Sequence, residues 1–158
     1  MKKNYNKKGY NSIISGLIII LYLSTGFIPN LSAVDKIAPQ WIFMTILNGL
    51  GLIFLAYNQK FFSSSIKLTL RSYMSLTYIG FIIWASLSYF YAINSTEVIV
   101  NITRQVNVLL MYLLMGIFLF SINNKIRFIC WAIVVILSIE AYAVVIEAKS
   151  MIDSTGFI

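Results

Sequence analysis

QWIFMTILNGLGLIFLAY, residues 40–57, carries no charged side chain from end to end. At about 1.5 Å of rise per residue, a helix of this run reaches nearly across a hydrocarbon layer of roughly 30 Å. Four more runs match it in length and character, at 12–28, 72–92, 105–122 and 126–146, with short polar connectors between them. Composition agrees. Apolar residues make up 59% of the 158, charged residues only 11%, and mean hydropathy is +0.85, which excludes an ordinary water-soluble domain. Backbone polar groups in lipid must be satisfied within the span, so helices are expected rather than an open sheet. The expected fold is an all-α integral membrane bundle of five transmembrane helices. A polar lead covers residues 1–11, one multi-pass domain covers 12–150, and a tail covers 151–158.

The net charge of +7 sets orientation. Lys2, Lys3, Lys7 and Lys8 precede the first span, Lys60, Lys67 and Arg71 lie between the second and third, and Lys125 and Arg127 lie between the fourth and fifth. In an alternating topology these fall on one side, leaving only Lys36, Arg104 and Lys149 on the other. The excess of cations marks the cytoplasmic side, so the N-terminus is expected inside and the C-terminus outside. Asp35, Glu97, Glu147 and Asp153 all fall on the outer side. Trp41, Tyr89 and Tyr91 then sit at the outer interface and Tyr10, Tyr57 and Tyr73 at the inner one, the depths that amphipathic rings favour. No basic stripe interleaved with stacking aromatics is present, so nucleic acid is not an expected partner. The lipid bilayer is.

The connectors differ in kind. Pro29 closes the first span and Pro39 suits the opening of the second. The first span is expected to remain uncleaved, because its apolar run exceeds a signal-peptide core. Residues 58–71 read as a long inner loop around Ser63-Ser64-Ser65. Asn94 with Glu97 three residues later forms a helix-capping pattern. Span four therefore either begins near Ser95 as one long helix or follows a short surface helix.

Chemistry-bearing residues are few. Glu140 is the one acid inside a span; a carboxylate there is costly and is expected to face protein or water, with Glu147 two turns further along the same face. Arg104 stands where span four enters the membrane on the cation-poor side, placed to grip a phosphate or carboxylate, to reach lipid headgroups, or to pair with Glu97 or Glu140. These two are the candidate polar or anion-binding cavity residues. Asn48-Gly49-Leu50-Gly51, with Gln105 and Asn107, suits close helix packing joined by amide hydrogen bonds. Cys130 is the single cysteine, and histidine is absent. With no phosphate-binding glycine loop, no zinc spacing and no Ser/His/Asp set, no catalytic residue, metal or cofactor is expected.

Two stretches resemble a known family. Phe27-Ile28-Pro29-Asn30 and Asp35-Lys36-Ile37-Ala38-Pro39-Gln40-Trp41, with Asn48 following, look like the start of the bacterial O-antigen ligase and polymerase-like membrane proteins. Trp84-Ala85-Ser86-Leu87-Ser88-Tyr89-Phe90-Tyr91-Ala92-Ile93-Asn94, with Glu97, is similar to the end of their third helix and the outer loop after it. The resemblance implies a glycosyltransferase of the bacterial inner membrane that takes glycans from a polyprenyl diphosphate carrier. It also implies further helices and a late outer loop bearing arginine and histidine. This sequence has neither that loop nor any histidine, so it is expected to be the N-terminal membrane portion, inactive alone, with the remaining helices or a membrane partner completing it. Two other readings stay open: a segment of a transporter or flippase with Glu140 and Arg104 on the path, and a small accessory or immunity membrane protein.

Overall fold

A computed structural model describes residues 2–28 and 37–155, with side chains at all of them except 2–8, 147, 151 and 153–155. Helices α1 (Lys2–Leu23), α2 (Ala38–Tyr57), α3 (Gln59–Leu70), α4 (Tyr73–Leu87), α5 (Ser95–Leu119) and α6 (Lys125–Thr155) follow one another, with no strand among the described residues. Short 3-10 turns extend α1 through Ser24–Phe27 and α4 through Ser88–Phe90. Among the described residues, five helical segments are long and apolar enough to cross a membrane: Gly9–Phe27, Ala38–Tyr57, Tyr73–Phe90, Ser95–Leu119 and Lys125–Ser150. The all-α, five-span expectation therefore holds.

Local chemistry explains the ends. Pro39 sits in the first turn of α2, where its missing N–H costs nothing. The Asn94 side chain accepts the Glu97 backbone N–H at 3.3 Å and caps α5, so span four is one long helix. Hydroxyls on exposed or half-buried faces turn back on their own helices. Thr77 donates to the Tyr73 carbonyl (2.8 Å), Ser86 to Ile82 (2.7 Å) and Thr103 to Ile99 (2.8 Å). Those bonds satisfy polar atoms without water, as a lipid-facing surface demands.

The loop expected at 58–71 is instead a helix. Phe62, Ser65 and Thr69 of α3 recur at helical spacing and are buried, while Lys60, Ser63, Ser64, Lys67 and Arg71 are exposed. The serines and lysines that suggested a loop are its polar face. Helix α1 likewise continues back through the polar lead to Lys2.

The first compact unit runs from 1 to 123 and the second from 124 to 158, the latter built on α6. In the first unit α5 is the hub, touching α1, α2, α3 and α4. Register follows from side-chain pairs. Asn11 donates to Asn58 (3.3 Å) and Tyr22 to Asn48 (2.7 Å), so α1 and α2 run antiparallel. Arg104 lies over Trp41, Asn48 meets Asn107, and Phe54 meets Phe118, so α2 and α5 run parallel. Glycine permits that closeness: a Cβ on Gly51 would come within 3.0 Å of Leu114 Cδ1.

At one end of this unit, Phe54, Phe62 and Phe118 form a closed triangle, with ring centroids 5.8, 5.5 and 5.7 Å apart and Phe61 against Phe62 at 4.8 Å. Phe62 and Thr69, seven residues apart on α3, meet Phe118 and Gly116, two residues apart on α5. Roughly 10 Å of one helix thus spans about 3 Å of the other, so α3 crosses α5 steeply. Ser75 of α4 donates to the Thr69 carbonyl at 2.6 Å and pins the α3–α4 corner.

Candidate functional site

Mid-way along α2, an amide bonds to two other helices, α1 and α5. Asn48 is only 2% exposed. Its Oδ1 accepts the Tyr22 hydroxyl at 2.7 Å, and its Nδ2 donates to the Asn107 backbone carbonyl at 3.0 Å and to Asn107 Oδ1. Asn107 Nδ2 donates in turn to Thr45 Oγ1 at 2.8 Å, and Thr45 Oγ1 donates to the Trp41 carbonyl at 2.7 Å. The bonds run in one sense, from the α1 tyrosine through both amides to the backbone of Trp41. An amide in hydrocarbon is costly unless nearly all its donors and acceptors are used, and here they are. Such a network fixes the register of α2 against α5 where apolar contacts alone are forgiving.

Trp41 and Arg104 lie beyond that network, at the end of the unit opposite the phenylalanine cluster. The Arg104 guanidinium sits 5.7 Å from the indole centroid, within cation–π range. The Trp41 indole N–H is buried without an acceptor among the described residues. A half-buried guanidinium therefore stands at this helix end against an aromatic face, and a guanidinium is suited to an oxygen-rich anion. Close by, the 3-10 turn after α1 is tied to α2 by Gln40, whose Nε2 donates to the Gly26 carbonyl at 3.2 Å. Gln105 faces the other way and accepts the Tyr78 hydroxyl at 2.9 Å, joining α4 to α5.

Of the two cavity candidates, Arg104 is half-buried on α5 and Glu140 is exposed on α6, in the second unit. Asp35 and Lys36 lie outside the described residues, as does the Glu147 side chain. Cys130 is free and exposed. No group of His, Cys, Asp or Glu able to hold a metal occurs among the described residues. The sequence marked Asn48-Gly49-Leu50-Gly51, with Gln105 and Asn107, for packing: Asn48, Gly51 and Asn107 lie in the α2–α5 contact and Gln105 bonds Tyr78, whereas Gly49 has open space beside it and Leu50 is exposed. It did not mark Tyr22 or Thr45. A tyrosine within an apolar span, one antiparallel turn-set away from an asparagine, was the signal available for the first; Thr45, three residues before Asn48, was the signal for the second.

Compared with protein-family models, curated proteins and solved structures, the chain matches none.

Proposed function

We propose that this chain is the N-terminal membrane portion of an O-antigen-ligase-like protein of the bacterial inner membrane, which helps to hold a polyprenyl-diphosphate-linked glycan at the outer face. The reading is supported by one observation above others. Trp41, which belongs to the first stretch of resemblance, is packed against Arg104, and Asn48 from the same region anchors both helices. The half-buried Arg104 guanidinium, set over the Trp41 ring, suits diphosphate oxygens, with apolar helix surface below for the polyprenyl chain. The glycosyl transfer itself falls to residues outside this chain.

Orientation is part of the proposal. Helix α3, with Lys60, Lys67 and Arg71, is at the same end of the first unit as Asn11 and the lysine-bearing start of α1, while Arg104 is at the other end. Cations gathered at one end favour that end as cytoplasmic. A reporter fused after Lys67 is expected to stay in the cytoplasm, and one fused after Ile93 to be exported. The reverse pattern removes the proposed orientation.

Substrate binding has its own test. A photo-activatable polyprenyl diphosphate is expected to label the reconstituted protein, and Arg104→Gln to cut labelling about ten-fold, as loss of a charge-assisted bond to phosphate implies. Equal labelling of both proteins, or labelling that a neutral polyprenol competes away equally well, overturns the reading.

A further inference from the structure

The surface of α3 that faces away from α5 has a consequence of its own. On a helical wheel, Phe62, Ser65 and Thr69 point to one side and are buried. Lys60, Ser64, Lys67 and Arg71 fall on the opposite side, at intervals of four, three and four residues, and all are exposed. Between Asp35 and Glu97 the sequence contains no acidic residue, so nothing on α2, α3 or α4 neutralises the three cations. Among the described residues none of them has an ion-pair partner. Leu68 (59% exposed) and Leu70 flank the stripe on its two sides, and Tyr57 and Tyr73 stand at the two ends of the helix.

The place of α3 in the chain adds a second constraint. It joins two membrane-crossing segments, Ala38–Tyr57 and Tyr73–Phe90, so it lies where hydrocarbon gives way to headgroups. Immediately after Arg71, α4 opens an apolar groove lined by Tyr73, Met74, Thr77, Tyr78 and Phe81. These residues occupy one helix face, and the groove runs about 12 Å along α4, most of the depth of one leaflet. Arg71 stands beside the start of this shallow apolar groove, which follows one face of α4. A soluble anion would use the first feature and gain nothing from the second.

We infer that α3 and the start of α4 form a binding site for an anionic phospholipid, with the headgroup phosphate held by Lys67 and Arg71, one turn apart, Lys60 adding positive charge along the same stripe, and one acyl chain lying along the α4 groove. Serine hydroxyls at Ser63 and Ser64 add donors beside the cations. The exposed tyrosines at the two ends sit at headgroup depth, where their rings are most stable. The site requires only that the chain occupy a bilayer. It does not depend on which side α3 faces, nor on the glycan reading above.

The test uses the full chain in phosphatidylcholine bilayers carrying spin-labelled phosphatidylglycerol or spin-labelled phosphatidylcholine. Electron paramagnetic resonance reports the fraction of each lipid immobilised at the protein. A several-fold preference for phosphatidylglycerol is expected at low salt, weakening at high salt as the charges are screened. The triple variant Lys60→Gln, Lys67→Gln, Arg71→Gln is expected to lose it, each cation contributing up to roughly five-fold. All three side chains are exposed, so the variant should keep its helical circular dichroism. Thr77→Trp, which fills the groove without altering charge, should lower immobilisation of both lipids. The inference is overturned by equal association of the two lipids with the native chain. It is also overturned if the triple variant retains the preference while Lys2→Gln, Lys3→Gln, Lys7→Gln, Lys8→Gln abolishes it.

Discussion

Phe118→Ala is expected to destabilise the first unit by about 3–5 kcal/mol, measured as reversible unfolding in mixed micelles. The size of the effect depends on what the unfolded state is. In a soluble protein, truncating a buried phenylalanine costs both the transfer of its surface from water and the cavity left behind. Here the separated helices still lie in lipid, so the transfer part largely cancels. What remains is the cavity: about 100 Å³ at roughly 24 cal/mol per Å³ gives about 2 kcal/mol. To this is added the loss of two aromatic pairs, since Phe118 meets both Phe54 and Phe62. Each such pair contributes about 0.5–1.5 kcal/mol.

Phe90→Ala supplies the comparison. Phe90 is 82% exposed, against 0% for Phe118, so its truncation is expected to change stability by less than about 0.5 kcal/mol. Hydropathy alone treats the two residues alike. If both variants lose the same stability, the phenylalanine cluster is not what joins α3 to α2 and α5, and the packing described for that end is wrong.

That comparison also shows where the sequence was legible. Lipid asks only for length, apolarity and cations at one end, and those were read directly: every span predicted from hydropathy is a helix. The Asn94–Glu97 cap was likewise readable, because it is a local bond between near neighbours. Which apolar residue is inside the bundle was not readable. In lipid, outward and inward faces are equally greasy, so the periodic contrast that marks a soluble helix is missing. Only 6% of the span Tyr73–Phe90 is buried within the protein, and nothing in its composition says so. Helix α3 is hidden in the sequence for the converse reason. Its stripe of Phe62, Ser65 and Thr69 buries two hydroxyl residues, so a search for apolar runs passes over it. At the candidate site, Arg104 stood out by its charge on the cation-poor side, but its contact with Trp41 depends on the parallel register of α2 and α5. No single segment encodes that register.

The register itself is the subject of the remaining large effect. Asn48→Leu is expected to cost about 1–2 kcal/mol, more than the average interhelical hydrogen bond in a membrane protein, because it strips partners from two helices at once. Tyr22 loses its acceptor and Asn107 loses a donor, and hydrocarbon supplies no substitute for either. Asn107→Leu should cost a similar amount. The double variant should cost less than the sum of the two by about 1 kcal/mol, since the second change removes the group that the first left stranded. Simple additivity would mean that the two amides do not interact. A further consequence separates this network from mere packing. Trp41 is seven residues from Asn48, about 10 Å along α2, and Thr45 carries the network to the Trp41 carbonyl. With Trp84 and Trp131 replaced by phenylalanine, the emission of Trp41 reports its surroundings alone. Asn48→Leu is expected to shift that emission as α2 slips against Arg104, whereas Leu50→Ala, at an exposed position of the same helix, is expected to leave it unchanged. An unchanged Trp41 spectrum in Asn48→Leu would detach the amide network from the Arg104 end, and the anion-binding arrangement would then need another support.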